Sequence, residues 1–351
     1  MTGAPLNVAL IGYGLAGRVF HAPLVRATPG LHLHSVVSSR ATGIGASYPS
    51  VRVCAQASDV FADPAIDLVV VATPNDSHAP LARAALRAGK HVVVDKPFAL
   101  DLDQARALTA QARDCGKVLS VFHNRRWDAD FLTLRGLLDA GALGEVAELH
   151  SHFDRFRPQV PDRWRDREGP GAGLWYDLGP HLADQALELF GAPLAVYADL
   201  GLQRDGATAV DYFHVQLRYP RLRVLLHGGS LVPGHGLRFA VHGSAGSWIK
   251  HGLDPQEDAL RAGLRPGPGD WGRDPRPGTL LRVDDSGTAA DADAPAVDGN
   301  WPAYYAGVRD AIVHGTPPPV TADSALLAQA VLEAALESAA GGREVAFGLP
   351  G

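Results

Sequence analysis

Val8-Ala9-Leu10-Ile11-Gly12-Tyr13-Gly14-Leu15-Ala16-Gly17 is the stretch on which the reading of this chain turns. Four apolar residues run straight into G-x-G-x-x-G, which predicts a buried strand, a tight turn and the start of a helix. Gly12 permits the turn, Gly14 removes a side chain where backbone would meet a pyrophosphate, and Gly17 lets the helix lie close to the sheet. The helix start adds unpaired N–H groups and a partial positive charge, which suits phosphate. The turn carries weight because of its setting in the chain. Further apolar runs, His34–Ser38, Leu68–Ala72, His91–Val94 and Val118–Phe122, alternate with the helical stretches Pro80–Ala88 and Leu102–Arg113, each closed by a glycine (Gly89, Gly116). Short apolar strands alternating with helices predict βαβ units around a parallel sheet buried on both faces.

The second strand of such a unit ends where an adenosine ribose would lie. A carboxylate there accepts from the ribose hydroxyls of NAD. Here the strand runs into Ser38-Ser39-Arg40, with hydroxyls and a guanidinium suited to a 2′-phosphate. NADP(H) is the expected dinucleotide, with NAD(H) still open. The fourth and fifth strands end in Ala72-Thr73-Pro74-Asn75 and Asp95-Lys96-Pro97, at the edge where ligands of open α/β sheets bind. Lys96 is one of four lysines among 32 basic residues; Lys90 and Lys117 precede their strands, where a solvated lysine is expected, and Lys250 is the fourth.

After Phe122 the pattern changes. Asp128–Ala140 reads as a helix. Period-two segments come next, at Glu145–Phe153, Ala195–Leu202, Asp211–Tyr219, Arg223–Gly229 and Gly236–His242, which predicts a mostly antiparallel sheet with one apolar face. Leu174–Phe190 is a helix laid among them, Pro255–Asn300 a long Gly-, Pro- and Asp-rich loop, and Trp301–His314 and Ala322–Ala340 are closing helices. The expected division is a dinucleotide-binding domain over 1–123 and an α+β domain for substrate binding and oligomerisation over 124–351. On the helix Leu174–Phe190, Asp177 and His181 are one turn apart and share a face. A carboxylate and an imidazole so placed suit proton transfer, and Gly171, Gly173 and Gly179 are expected to leave room for a ligand.

The chain has 351 residues, a formal net charge of −6, 46% hydrophobic and 20% charged residues, the profile of a globular protein with a sizeable core. The negative balance argues against nucleic acid as a partner. Cys54 and Cys115 have no metal-ligand spacing and read as small buried apolar residues, so no metal is expected. The start lacks a basic leader and no apolar run reaches membrane-spanning length, so a cytoplasmic protein without a membrane partner is expected.

Together these features resemble the Gfo/Idh/MocA family of oxidoreductases. The resemblance covers essentially the whole chain. It is carried by GYGLAG, by ATPNDSHAPLARAALRAGKHVVVDKP, by the Asp177…His181 pair and by the antiparallel second half. FHNRRWDADF, RFRPQVPDRWRDREG and WYDLGPH further resemble its NADP-dependent scyllo-inositol dehydrogenase branch. The resemblance implies an N-terminal Rossmann domain and a C-terminal domain built on a large, mostly antiparallel sheet. It implies hydride exchange between NADP(H) and a secondary alcohol, or the matching ketone, of a cyclic polyol or sugar. Lys96 then stands as the catalytic lysine, His181 as general base and Asp177 as its orienting or substrate-binding partner, with either His181 or Lys96 open as the proton carrier. Asp95 replaces the family's usual Glu. Gly12, Tyr13, Gly14, Leu15, Ala16, Gly17, Ser38, Ser39, Arg40, Thr73, Pro74, Asn75, His78, Asp95, Lys96, Asn124, Trp164 and Arg165 are implied on the cofactor side. Arg126, Asp154 and Tyr176 join Lys96, Asp177 and His181 on the substrate side, with His152, Arg155, Arg157 and Arg163 as further polar candidates. A homodimer or homotetramer formed through the C-terminal sheet is also implied. Two other readings share the architecture: a catalytically silent dinucleotide-sensing regulator, and a glycosidase that oxidises its substrate transiently.

Overall fold

The computed structural model describes residues 4–39, 43–267, 269–284 and 286–348. They pack as two compact units, neither continuous in sequence: the first takes the chain through Asn124 together with Gln256–Trp271 and Asn300–Leu326, the second takes Arg125–Pro255, Gly272–Gly299 and the chain from Leu327 on. This division differs from a single boundary between 123 and 124.

The first unit is built on β1 (Leu6–Ile11), β2 (Leu31–Val37), β3 (Arg52–Cys54), β4 (Leu68–Val71), β5 (His91–Val94) and β6 (Leu119–Val121), in the order β3-β2-β1-β4-β5-β6. Every pairing is parallel. The valines of β4 and β5 are wholly buried, because parallel strands are covered on both faces. Helices α1 (Ala22–Ala27), α2 (Ile44–Ser47), α3 (Ala57–Phe61), α4 (His78–Arg87) and α5 (Leu102–Asp114) connect them. The helix after the glycine turn opens at Leu15 and Ala16 and passes through a π-type segment, Gly17–His21, before α1. Strand order reverses at β1, which places the crevice at the carboxyl ends of β1 and β4.

The second unit holds α6 (Ala129–Asp139), β7 (Val146–His152), α7 (Gly173–Phe190), β8 (Ala195–Gly201), β9 (Tyr212–Arg218), β10 (Arg223–Gly229), β11 (Leu237–Gly243) and β12 (Gly246–His251). Helix α8 (Gln256–Arg261) belongs to the first unit. Then come β13 (Thr279–Val283), β14 (Ala289–Ala292), α9 (Pro302–His314, first unit), α10 (Ala322–Gly341) and β15 (Val345–Ala346). The sheet runs β14-β13-β12-β11-β7-β10-β9-β8-β15 and is antiparallel except for β7 beside β10. Alternation sends Leu149, Phe213, Val215, Val224 and Leu226 into a core shared with Trp175, Leu178 and Leu182 of α7 and Val331 and Leu332 of α10. Their strand neighbours form the other, half-exposed face.

Three expectations need correcting. Pro255–Asn300 is not a bare loop: it contains α8 and the edge hairpin β13–β14, whose side chains are mostly exposed, so no apolar alternation marks it. Cys115 is exposed at the end of α5, while Cys54 is buried. Lys90 is buried, and its Nζ donates to the carbonyls of Asp63 (2.6 Å) and Ile66 (2.9 Å) rather than to solvent.

Candidate active site

The glycine turn arises directly from the register of β1. Gly12 N–H donates to Val37 O across β2, and its φ of +98° lies in the left-handed region. A methyl group on Gly12 would stand 2.3 Å from Ala72 O, and one on Gly17 would stand 2.0 Å from Gly12 O. Gly14 differs: its added methyl would meet nothing within 4 Å. Gly14 and Leu15 are exposed, and Tyr13 is half-buried against the edge of Tyr48. Two glycines thus serve packing, and the third leaves an open approach to backbone N–H groups at a helix start. The turn fits a dinucleotide pyrophosphate. Ser38 is half-buried and Ser39 exposed just past β2, while Arg40 lies outside the described residues.

The same sheet edge carries the turns after β4 and β5. Ala72 N–H donates to Ile11 O and Asp95 N–H to Val71 O, so Gly12, Ala72 and Asp95 stand side by side across three strands. With strands ~4.8 Å apart, the glycine turn and Lys96 are separated by about 10 Å along that edge. His78 ties the turns together: its Nδ1 lies 2.8 Å from Pro97 O and its Nε2 3.0 Å from Thr73 O. Burial pushes the His78 imidazole pKa down despite Asp95 and these carbonyls. A neutral imidazole has a single N–H, so His78 donates to one of these carbonyls and sits against the other, a clip between the turns rather than a free hand for the cofactor. Asn75 opens the short 3₁₀ turn Asn75–Ser77, and Ser77 Oγ donates to Pro74 O at 2.6 Å and stands 2.7 Å from Thr73 Oγ1, whose hydroxyl can donate to it.

Behind Asp95 lies a buried polar chain. Tyr305, from α9, and His21 are both fully buried, and Tyr305 Oη is 2.6 Å from His21 Nδ1. His21 Nε2 in turn lies 3.7 Å from Asp95 Oδ2. Burial pushes the Tyr305 phenol far above its usual range, so it stays protonated beside Nδ1, while Nε2 faces Asp95 at ion-pair rather than hydrogen-bond distance. Burial would also raise Asp95, but its contact with His21 and the charges of Lys96 and His78 prevail and hold it down at about 2. Asp95 Oδ1 accepts the Lys96 N–H at 2.8 Å, so the lysine sits next to a pinned carboxylate. His21 and Tyr305 escape a reading of the sequence alone. Each sits among apolar neighbours far apart in the chain, and only the fold joins them.

In the second unit, α7 carries Tyr176, Asp177 and His181. The Asp177 carboxylate accepts Arg155 Nη1 at 3.0 Å, and Arg165 Nη1 stands 3.8 Å from its other oxygen. Arg155, in the sequence only one of several polar candidates, thus holds Asp177 in place. His181 is buried and Tyr176 half-buried. Trp164 and Arg165 lie in a 3₁₀ turn, Trp164–Asp166. The glycines around the pair do not simply leave space for a ligand. A methyl on Gly179 would overlap the Trp175 ring at 2.4 Å, and one on Gly173 would meet Val210 O at 2.9 Å. They let Trp175 and the segment leading into β9 close on the helix.

Two residues expected near substrate are engaged elsewhere. Arg126 is buried, with Nε and Nη2 on Asp184 (2.8 and 2.7 Å) and Nη1 on Glu188 (2.6 Å), so its guanidinium binds α7. Asp154 accepts the Gly229 N–H at 2.9 Å and faces His152 and His227. Asn124 is buried at the start of the 3₁₀ turn Asn124–Trp127. Arg163 pairs with Asp166 at 3.0 Å.

The chain matches two family models, one described as "Oxidoreductase family, NAD-binding Rossmann fold" over residues 6–123 and one as "Oxidoreductase family, C-terminal alpha/beta domain" over residues 135–347. It is 54% identical over 334 residues to the uncharacterized oxidoreductase YdgJ of Escherichia coli, covering 95% of this chain and 96% of that one. It is 40% identical over 335 residues to the scyllo-inositol 2-dehydrogenase (NADP(+)) IolW of Bacillus subtilis, covering 95% and 93%. A solved structure from Yersinia pestis described as an oxidoreductase superposes with a TM-score of 0.95 at 48% identity, covering 99% of each chain.

Proposed function

The chain belongs to the Gfo/Idh/MocA oxidoreductase family, and from that premise we propose that it interconverts a secondary alcohol and a ketone on a cyclic polyol or sugar of scyllo-inositol type, with NADP(H) as the dinucleotide. The observation that carries the reading is the carboxyl edge of the parallel sheet. An open glycine turn suited to pyrophosphate and a lysine beside a pinned carboxylate share that edge. When bound, the dinucleotide accepts or supplies the hydride; the protein supplies position and charge. Gly12–Gly17 hold the pyrophosphate, and Ser38, Ser39 and Arg40 favour a 2′-phosphate. The Lys96 ammonium stabilises the alkoxide as the substrate hydroxyl loses its proton. His181 takes that proton in the oxidation direction and returns it in reduction. Asp177, fixed by Arg155, binds a substrate hydroxyl or orients His181.

The IolW relative supports both the inositol-type substrate and NADP(H), and it is the reason to begin there. The test is turnover with scyllo-inositol, myo-inositol and a panel of sugars and ketoses, each with NADP(H) and with NAD(H), monitored by the near-ultraviolet absorbance of the reduced nicotinamide. Turnover of polyols with NADP(H) preferred supports the reading. Nucleotide binding without turnover of any alcohol or ketone overturns it in favour of a sensor. Release of an aglycone without net reduced nucleotide overturns it in favour of a glycosidase. A homodimer or homotetramer formed through the half-exposed face of the C-terminal sheet, and a cytoplasmic location, belong to the same proposal. Light scattering that returns a monomer mass at micromolar concentration would refute the assembly. Among the described residues no helix is long and apolar enough to cross a membrane.

A further inference from the structure

We propose that His152, Asp154 and His227 form a binding site for a divalent transition-metal cation of the zinc class on the half-exposed face of the nine-stranded sheet. Strand register brings the two histidines together: His227 of β10 is the parallel partner of His152, the last residue of β7, and their rings lie 4.7 Å apart. Asp154 lies two residues beyond His152. His152 Nδ1 is 3.4 Å from Asp154 Oδ2, His227 Nε2 is 3.5 Å from Asp154 Oδ1, and the three ligand atoms lie within 4.8 Å of one another.

Those separations are long for direct charge-assisted hydrogen bonds, which close to ~2.7–2.9 Å. Each runs to a different Asp154 oxygen, and each is close to the edge of a tetrahedral shell, in which ligands about 2.1 Å from a zinc ion stand roughly 3.4 Å from one another. The Asp154 carboxylate is also oriented from behind, by the Gly229 N–H at 2.9 Å, as ligating carboxylates usually are. The side chains of His152, Asp154 and His227 are 18%, 8% and 17% exposed in the single chain, so an ion can enter before the proposed assembly covers this face. Water completes the shell; His214, the neighbouring imidazole on β9, has its ring 5.7 Å from that of His227 and lies outside the three-residue cluster.

Two imidazoles and one carboxylate select zinc, nickel, cobalt or copper over magnesium and calcium, which prefer all-oxygen shells. The site ties the end of β7 to β10. Arg155, next in the chain after Asp154, holds Asp177 at 3.0 Å, so an ion that fixes Asp154 also steadies the backbone that presents Arg155. The role is structural; no substrate atom is asked to touch the ion. The spacing of His152 and Asp154 gives no warning of it, because the third ligand comes from a strand made much later in the chain.

The test uses tag-free protein stripped with EDTA and dialysed. Titration of ZnCl2 by calorimetry, with MgCl2 as control, is expected to give one zinc ion per chain and no saturable magnesium binding. His152→Gln, Asp154→Asn and His227→Gln are each expected to weaken zinc binding at least tenfold while metal-free melting stays near that of the wild type. CoCl2 added to the wild type alone is expected to give a visible ligand-field spectrum of a four- or five-coordinate ion that zinc abolishes, a readout that needs no variant. Absence of that spectrum, absence of stoichiometric zinc binding, or zinc affinity unchanged in the three variants would overturn the proposal.

Discussion

Replacing each glycine of the phosphate turn by alanine, one at a time, separates packing from ligand approach. At Gly12 the φ of +98° costs an L-residue ~1–2 kcal/mol before any contact is counted, and the new methyl meets Ala72 O at 2.3 Å. Relieving that overlap means moving the end of β1 away from the end of β4, so the total loss should reach ~3 kcal/mol. Gly17→Ala escapes the φ cost but drives its methyl to 2.0 Å from Gly12 O, so a similar loss is expected. At ~2–4 °C per kcal/mol, both variants should melt roughly 6–12 °C early. Gly14→Ala meets nothing within 4 Å and should leave stability within ~0.5 kcal/mol. Its methyl would occupy the approach of the pyrophosphate to backbone, so NADPH binding should weaken at least tenfold, or ~1.4 kcal/mol. Thermal melts without nucleotide and a fluorescence titration with NADPH read the two effects independently. A Gly14→Ala protein that binds NADPH within twofold of the wild type, or that melts with Gly12→Ala, would refute the division of labour.

Lys96→Ala should retain NADPH binding and lose ~3 kcal/mol or more of transition-state stabilisation, a hundredfold or greater fall in kcat; near-normal turnover would remove Lys96 from the mechanism. Tyr305→Phe leaves the buried His21 Nδ1, bonded at 2.6 Å in the wild type, without its partner. About 1–3 kcal/mol of stability should go with it, measured by denaturant melts, and loss smaller than ~0.5 kcal/mol would argue that the chain behind Asp95 is slack. Arg126→Leu strands buried Asp184 without its guanidinium and should cost ~3–5 kcal/mol, whereas adding Asp184→Leu should recover part of it; a double variant worse than the sum of the singles would contradict the pairing. His91 is held neutral: burial first, then Lys117, lowers its pKa from 6.5 to about 4, and Nδ1 accepts the Val118 N–H at 3.0 Å. A lowered folded-state pKa means that the unfolded chain takes up the proton first. The contribution is therefore full above pH ~6.5 and is lost as pH falls toward 4; after discounting for its partial exposure, ~1–2 kcal/mol should disappear across that window. Parallel melts of His91→Gln should show a shallower acid loss, and equal slopes would rule His91 out as its source.

Local rules carry the sequence far where one element answers to one rule. The valine runs of β4 and β5, the glycine turn and the alternation Tyr212-Phe213-His214-Val215 each declare strand, turn and face without help from the rest of the chain. Asp177 and His181 are legible as neighbours on a helix for the same reason. What escapes depends on distant segments. Thr279–Val283 and Ala289–Ala292 form strands because β12 offers them an edge, and Leu280 is the residue of that hairpin seen fully in the core. Arg126 and Asp154 read as polar groups available to a polyol; only the fold shows that Asp184, Glu188 and the His152–His227 pair claim them. Lys90 looks like a surface lysine by position. Its stem runs inward to carbonyls of the loop between α3 and β4, which no periodicity reveals.

The discontinuity of the first unit has a consequence in time. Its last strand, β6, is complete at Val121, yet Ser120 Oγ bonds Val320 O and Tyr304 Oη, Phe122 packs edge-on against Tyr304, and His21 awaits Tyr305. A ribosome working at ~5–20 residues per second needs roughly 10–40 s to travel from Val121 to Tyr305. Throughout that interval the nascent nucleotide domain has its sheet but not the aromatic cover of α9, where Tyr304, Tyr305 and Val308 are wholly buried in the finished protein. The emerging chain must make most of its second sheet while the first stays uncapped, so its birth order and its folding order are interleaved rather than sequential.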